Sequence, residues 1–281
     1  MRPRHWVKNG FVLAPLMFRL PAVEPVEVLL AFAAAAAFSL VSSAVYAVND
    51  VVDRDDDRRS PARRHRPVAS GEVTVAAAIG VAAACALAAG GLSFLLPWRV
   101  GAALAAYAVL NLAYSLRLKR IVLIDVMAIA AGFMLRVFAG AAVLGVVVTS
   151  WMMLTTFFVS LFLGFSKRRS EFITAGGRTA RSVLSEYSAP LLDILIVMSV
   201  AITIVTYSLY VIQAAAGRGD GAELLVYTVP LVVYGLLRYL YLVMRQGKGG
   251  DVAEVVMRDV PLLVTIGAWL AAVVVILVLP A

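Results

Sequence analysis

The chain has 281 residues, 62% of them hydrophobic and 15% charged, with a formal net charge of +8 and one cysteine. This composition excludes a disordered chain and an ordinary soluble globule, and the lone Cys85 excludes an internal disulfide framework. Apolar runs near the ~20 residues that a helix needs to cross a bilayer core recur along its length, so the sequence predicts an all-α, polytopic membrane protein forming a single domain over 1–281.

In chain order the runs predict about nine spans: 6–20, 26–48, 73–96, 99–116, 121–143, 149–166, 187–214, 222–244 and 260–279. The first is short and contains Pro15. Arg2, Arg4 and Lys8 precede it as they would a signal peptide, but no small-x-small cleavage site follows, so it is read as a span. With nine crossings the segments 1–8, 49–72, 117–120, 167–186 and 245–259 share one side and hold 20 of the 25 lysines and arginines. The opposite side holds only Arg19, Arg99 and Arg218, and Arg136 and Arg238 lie within spans. The positive-inside rule then predicts a cytoplasmic amino terminus, cytoplasmic charged loops and an external carboxy terminus. The basic excess is charge facing anionic lipid, which removes the need for a nucleic-acid partner.

The second span runs into "NDVVDRDDDRR". Asn49, Asp53 and Asp57 are spaced i, i+4 and i+8, and a helix continuing past Val48 places them on one face with Asp50 one position around. Packed carboxylates repel unless a cation sits among them. Mg2+ is the fitting ion, since it takes one or two carboxylates and completes its shell with water and substrate phosphates. Asp55 and Asp56 read instead as solvated charges neutralised by neighbouring arginines. Arg63, Arg64 and Arg66 follow, then "RPVASG". Arginine meets phosphate through a planar fork, so acids and arginines together describe a diphosphate site. Pro67 and Gly71 read as turn residues before the third span.

"NDVVDRDDD" matches the NDxxDxxxD motif of the UbiA superfamily of intramembrane prenyltransferases, and "RRHRPVASG" resembles the basic RPxAxG continuation found there. The resemblance covers essentially the whole chain. It implies a UbiA-like bundle of nine transmembrane helices with a magnesium-diphosphate site at the cytoplasmic face of a bacterial inner membrane. A second aspartate motif, near DxxxD, is incomplete here: Asp125 is present, but Ile129 stands four residues on. The segments "RPRHWVKN", "GFMLRVFAG", "GFSKRRSEF", "RSVLSEYS" and "RYLYLV…GGD" resemble the decaprenyl-phosphate phosphoribosyltransferase branch.

That resemblance implies transfer of 5-phosphoribose from phosphoribosyl diphosphate (PRPP) to a polyprenyl phosphate, for lipid-linked precursors of cell-wall arabinan. It implies catalytic roles for Asp50, Asp53 and Asp57, with Asp50 facing the positive charge that develops on the ribose. Lys167, Arg168 and Arg181 are the expected cations for the donor's 5-phosphate, and Glu171 and Tyr187 address the ribose or hold the loop. Lys8, Arg63, Arg66, Tyr114, Lys119, Asp125 and Arg136 complete the expected substrate-binding set. Arg136, inside the fifth span, faces a polar cavity or the acceptor path, or satisfies carbonyls of a neighbouring helix. Arg238 is expected to pair with Asp125 or a phosphate, while Asp193 has no assigned role. A homo-oligomer is compatible with this pattern. The rivals are an aromatic or haem prenyltransferase using a prenyl diphosphate, and a transporter, which would place its coupling residues near the midplane.

Overall fold

The structure is a computed structural model that describes residues 3–17, 19–59, 64–174, 182–216, 222–246 and 252–278. Eight long helices dominate the described residues: α1 (Pro25–Val52), α2 (Val75–Ser93), α3 (Trp98–Leu116), α4 (Ile124–Val143), α5 (Ser150–Thr174), α6 (Ala189–Ala216), α7 (Val229–Gln246) and α8 (Val260–Val278). Eight segments are long and apolar enough to cross a bilayer; the seventh combines α7 with the 3-10 helix Ala222–Thr228 that precedes it. Large apolar side chains such as Leu29, Leu87, Trp98, Val197 and Val264 stand exposed. Water would not tolerate so much apolar surface, whereas acyl chains match it. The protein is a multi-pass integral membrane protein.

Local chemistry explains the helix ends. Pro25 opens α1 behind a capping box in which the Glu24 backbone N–H donates to Glu27 Oε2 at 3.0 Å. Thr74 caps α2 by accepting from the Ala77 N–H at 3.2 Å. Asp259 does the same for α8 through the Leu262 N–H at 3.0 Å. Within the spans, hydroxyls donate back to carbonyls four residues earlier, as Ser43, Ser160 and Thr203 do, so no water is needed to satisfy them.

Two expectations are corrected. The segment 6–20 is not a continuous span: it forms a 3-10 helix, Pro3–Val12, followed by the single turn Ala14–Met17. Neither reaches the ~20 helical residues of a crossing. The 3-10 helix runs antiparallel to α1, with Asn9 Nδ2 donating to Ser39 Oγ at 2.9 Å and Trp6 Nε1 to Ser43 Oγ at 3.3 Å. Conversely α5 runs eight residues beyond the expected 149–166, so Lys167, Arg168 and Glu171 stand on a helix and not in a loop.

The chain forms two compact units. The first comprises Met1–Leu16, Val23–Lys119 and Leu135–Val147. Its core joins Val12, Ala34, Phe38, Val100, Tyr107 and Ala139. Small residues let backbones approach closely here: a Cβ built on Gly140 would lie 1.9 Å from the Val12 carbonyl oxygen. Gly140→Ala must push the 3-10 helix off α4. The expected result is a loss of about 1–3 kcal/mol, read as a lower unfolding temperature in detergent, with Gly80→Ala, whose Cβ meets nothing, as the neutral control.

The second unit comprises Met17–Ala22, Arg120–Met134 and Val148–Ala281. α5 packs along α6, and the core gathers Val126, Phe162, Leu192, Ile196, Tyr239 and Leu242. Gly164 allows the start of α4 to lie against α5, because a Cβ there would come within 2.5 Å of Val126 Cγ1.

Candidate active site

The acidic motif lies wholly in the first unit. α1 continues past Val48 to Val52, Asp53 caps it, and the chain re-enters helix over Arg54–Arg59. Four-residue hydrogen bonding persists through the junction: Asp53 N donates to Asn49 O and Asp57 N to Asp53 O, each at 2.8 Å. Asn49, Asp53 and Asp57 therefore share one helical edge, as their spacing requires.

The "RPVASG" stretch bends the arginine back to this edge. Pro67 starts the short helix Pro67–Ser70, and Gly71 ends it at φ 89°, a conformation that glycine adopts without strain. Arg58 Nε donates to Ala69 O at 2.9 Å and fastens the two short helices together. Arg66 NH1 then meets Asp57 Oδ2 at 2.6 Å and Asp50 Oδ1 at 3.4 Å. Asp57 is fully buried, which would be costly without that partner. From beyond the end of α3, Lys119 Nζ reaches Asp53 Oδ1 at 2.6 Å.

Two buried atoms in the same stretch have no hydrogen-bond partner among the described residues: the acceptor Asn49 Oδ1 and the donor Arg54 Nε. Buried polar atoms are seldom left so. An oxygen lacking a donor suits a cation, and a guanidinium N–H lacking an acceptor suits an anion. Among the described residues no three His, Cys, Asp or Glu side chains converge. The set is instead two carboxylates and an amide oxygen, which fits magnesium carrying water and phosphate in the rest of its shell.

Asp125, Arg168, Glu171 and Tyr187 come together in the second unit. Asp125 is fully buried; its Oδ2 accepts from Arg168 Nε at 2.7 Å and its Oδ1 from the Tyr187 hydroxyl at 2.8 Å. Arg168 NH1 also donates to Glu171 Oε2 at 2.6 Å. The Tyr187 oxygen accepts from the backbone N–H of Leu123, a residue held at φ 66°. A left-handed leucine is uncommon and persists only when its surroundings fix it. Burial, with the adjacent Asp125 charge, pushes the Tyr187 hydroxyl above its ordinary range, while the Leu123 N–H opposes the shift. A raised value means that folding favours the protonated form, so stability from this group is intact below the ordinary tyrosine value near ~10 and declines only above it. Tyr187→Phe removes both bonds and is expected to cost about 1–3 kcal/mol at neutral pH, measured by unfolding in detergent.

Arg136, 5% exposed, belongs to the first unit. Its Nε donates to Asn9 Oδ1 and its NH2 to the Tyr107 hydroxyl, both at 2.8 Å, and its guanidinium lies 4.5 Å from the Tyr107 ring centroid. The sequence leaves open a polar cavity, the acceptor path or helix carbonyls; the structure shows two side-chain oxygens, of Asn9 and Tyr107, accepting from this arginine. Arg238 pairs with Asp259 at 2.8 Å, not with Asp125. Asp193 gains a partner in Arg169, whose NH1 also donates to Val243 O at 3.0 Å. Lys8 and Tyr114 are half-buried and Lys167 is exposed. Arg63 and Arg181 lie outside the described residues. Sequence reasoning missed Asn9 and Tyr107, although an amide and a phenol inside apolar runs are a signal of polar contacts.

Residues 10–258 match the UbiA prenyltransferase family. The chain belongs to that family. It is similar to a decaprenyl-phosphate phosphoribosyltransferase of Corynebacterium glutamicum, at 33% identity over 249 residues, covering 85% of this chain and 74% of the relative. A protein of the same name from Mycobacterium tuberculosis is 30% identical over 250 residues, covering 84% and 81%. A UbiA homologue from Archaeoglobus fulgidus, solved bound to GPP and Mg2+, has a TM-score of 0.75 at 16% identity, covering 98% of this chain and 97% of that one. That likeness is one of fold. This UbiA family member is an enzyme, a transferase.

Proposed function

We propose that the protein transfers 5-phosphoribose from PRPP to a polyprenyl phosphate, decaprenyl phosphate in the relatives' names, and releases diphosphate. The observation that carries the reading is that the acidic stretch holds both a buried unpartnered acceptor, Asn49 Oδ1, and a buried unpartnered donor, Arg54 Nε. A metal-bound phosphate group answers both. The similarity to two phosphoribosyltransferases over more than four-fifths of the chain supports the donor.

Asn49, Asp53 and Asp57 would hold magnesium, which when bound neutralises charge on the departing diphosphate. Arg66 and Lys119 keep Asp57 and Asp53 in place. The bond from ribose C1 to the diphosphate oxygen breaks, and diphosphate leaves with the electron pair. An oxygen of the acceptor phosphate forms the new bond to C1 from the opposite face, inverting the anomer. Asp50 lies beside the centre as a negative charge able to stabilise the ring cation. The acceptor, a phosphate monoester with a second pKa near ~6, is already anionic at neutral pH and needs no general base. Arg168 and Tyr187 each bond one oxygen of Asp125 and fix its carboxylate in the second unit. The remaining substrate contacts, at Lys8, Arg63, Tyr114, Lys167 and Arg181, are proposed for residue-by-residue test. The protein is placed in the bacterial cell membrane with its charged loops cytoplasmic, supplying an arabinan precursor.

The deciding experiment gives purified protein, magnesium and polyprenyl phosphate either labelled PRPP or a labelled prenyl diphosphate with an aromatic acceptor. A labelled phosphoribosyl lipid from the first pair is expected. Product from the second pair alone overturns the reading.

A further inference from the structure

Arg136 of α4 grips the amino-terminal 3-10 helix at a single amide. Its Nε donates to Asn9 Oδ1, and Asn9 Nδ2 donates in turn to Ser39 Oγ of α1, so both ends of that amide are held. The Tyr107 hydroxyl accepts from Arg136 NH2 and shares a hydrogen bond with Ser42 Oγ at 3.1 Å. Gly140, one turn along α4, seats the rest of the segment: a Cβ there would overlap the Val12 carbonyl oxygen and press on Pro15 Cδ at 3.1 Å. Asn9 is 2% exposed and Val12 is fully buried. The contacts to α1 set the register. Asn9 meets Ser39 and Trp6 meets Ser43, so three residues of 3-10 helix run against four of α-helix, about 6 Å in each. Continued at that pitch, Pro3 falls level with Ala47, roughly 3 Å of α1 short of Asn49. The sequence at that end is Met-Arg-Pro-Arg-His. The basic end of the helix therefore stands at the height of the acidic stretch that carries Asn49 Oδ1 and Arg54 Nε.

We propose that Arg136 is a positioning residue: through Asn9 it fixes the depth of the amino-terminal helix, and with it the height at which the basic end of that helix stands beside the diphosphate site. The inference rests on the proposed function for the diphosphate alone. An arginine inside a span is costly, and an apolar side chain would join the same segments at less cost. Apolar contact is non-directional and lets a short helix slide along its neighbours. A hydrogen bond is directional, and one made to a single amide from both sides fixes position along the axis. Arg136 and Gly140 lie on one face of α4 and meet consecutive parts of the segment, so the helix is held at one depth by a grip and a seat together.

Two measurements on the full chain test it. Calorimetric titration of inorganic diphosphate in the presence of manganese reads the site without turnover. Arg136→Met is expected to raise the diphosphate Kd roughly tenfold, the size of one charge-assisted contact. Manganese binding alone should stay unchanged, because Asn49, Asp53 and Asp57 are untouched. Asn9→Leu should have the same effect, and the double variant should be no worse than either single one. Arg136→Lys, which can still donate to Asn9 Oδ1, should recover part of the loss. If Arg136→Met fails to insert, Asn9→Leu carries the comparison. The second measurement reads depth. In a Cys85→Ala background, Pro3→Cys with Ala47→Cys is expected to cross-link through a short bis-maleimide, and Pro3→Cys with Leu40→Cys is not; adding Arg136→Met should remove that preference. An unchanged diphosphate Kd, a parallel loss of manganese binding, or an unchanged cross-link overturns the proposal. A wild type that binds no diphosphate overturns the proposed reaction, while the cross-linking still decides whether Arg136 sets the depth of the helix.

Discussion

Asp53→Asn lowers the transfer rate by about a hundredfold or more and leaves an inserted, folded protein; that is the expected result, and the chemistry of the site sets its size. The substitution is isosteric. Lys119 Nζ, now 2.6 Å from Asp53 Oδ1, can still donate, more weakly, to an amide oxygen, so the local fold survives. What is lost is a negative charge facing a divalent ion. Removal of one preorganised electrostatic contact to a transition state typically costs about 2.7–4 kcal/mol, or about 10²–10³ in rate. Asp56→Asn is the control, because Asp56 is exposed and its contact to Arg59 is a long 3.9 Å; it is expected to change nothing. A separate readout does not depend on turnover. Manganese titrated into the protein and followed by paramagnetic resonance should bind the wild type and the Asp56 variant, and bind Asp53→Asn weakly. Undiminished transfer and manganese binding in Asp53→Asn would falsify the metal assignment.

The sequence carried the elements of this site because its signals are local. The i, i+4, i+8 spacing from Asn49 to Asp57 needs only a helix, and α1 supplies it. Pro67 and Gly71 have fixed backbone preferences, so "RPVASG" could be read as a turn and became a one-turn helix with a left-handed glycine end. Hydropathy likewise located all eight long helices, since a span is defined by length and apolarity alone.

What was not legible depends on partners far away in the chain. Nothing near Asp53 announces Lys119, 66 positions on, and nothing near Arg136 announces Asn9, 127 positions back. The amino-terminal segment resembles a span in its apolar content, and nothing local announces the grip of Asn9 and Trp6 on α1. The end of α5 reads as a loop in the sequence because its apolar run stops at Ser166 and charges follow, yet Arg168 and Glu171 satisfy each other one turn apart and Asp125 completes the set. The sequence leaves Arg238 a choice of Asp125 or a phosphate, and the structure pairs it with Asp259, which caps α8 as well.

That buried set predicts the largest change in stability. Arg168 is 3% exposed and Asp125 not exposed at all. Arg168 has Glu171 as a second counter-ion, whereas Asp125 has only the neutral Tyr187 hydroxyl besides Arg168 among the contacts described, so removing Arg168 leaves a buried carboxylate with no counter-ion there. Arg168→Met, which strands Asp125, is expected to cost about 3–5 kcal/mol. Asp125→Asn keeps one acceptor oxygen and loses the other, and Arg168 retains Glu171 as counter-ion, so it should cost less. In the double variant the stranded charge is gone, so its loss should be smaller than the sum of the two single losses, by about 0.5–3 kcal/mol, the range found for residues in one network. Arg169→Met makes the comparison sharp. Its partner Asp193 is 40% exposed at the side chain, water screens the pair, and an effect of about 0–1 kcal/mol is expected from the ion pair. Thermal unfolding of all four variants in one detergent gives the ranking. Strict additivity between positions 125 and 168 would show that the two side chains are neighbours without being coupled.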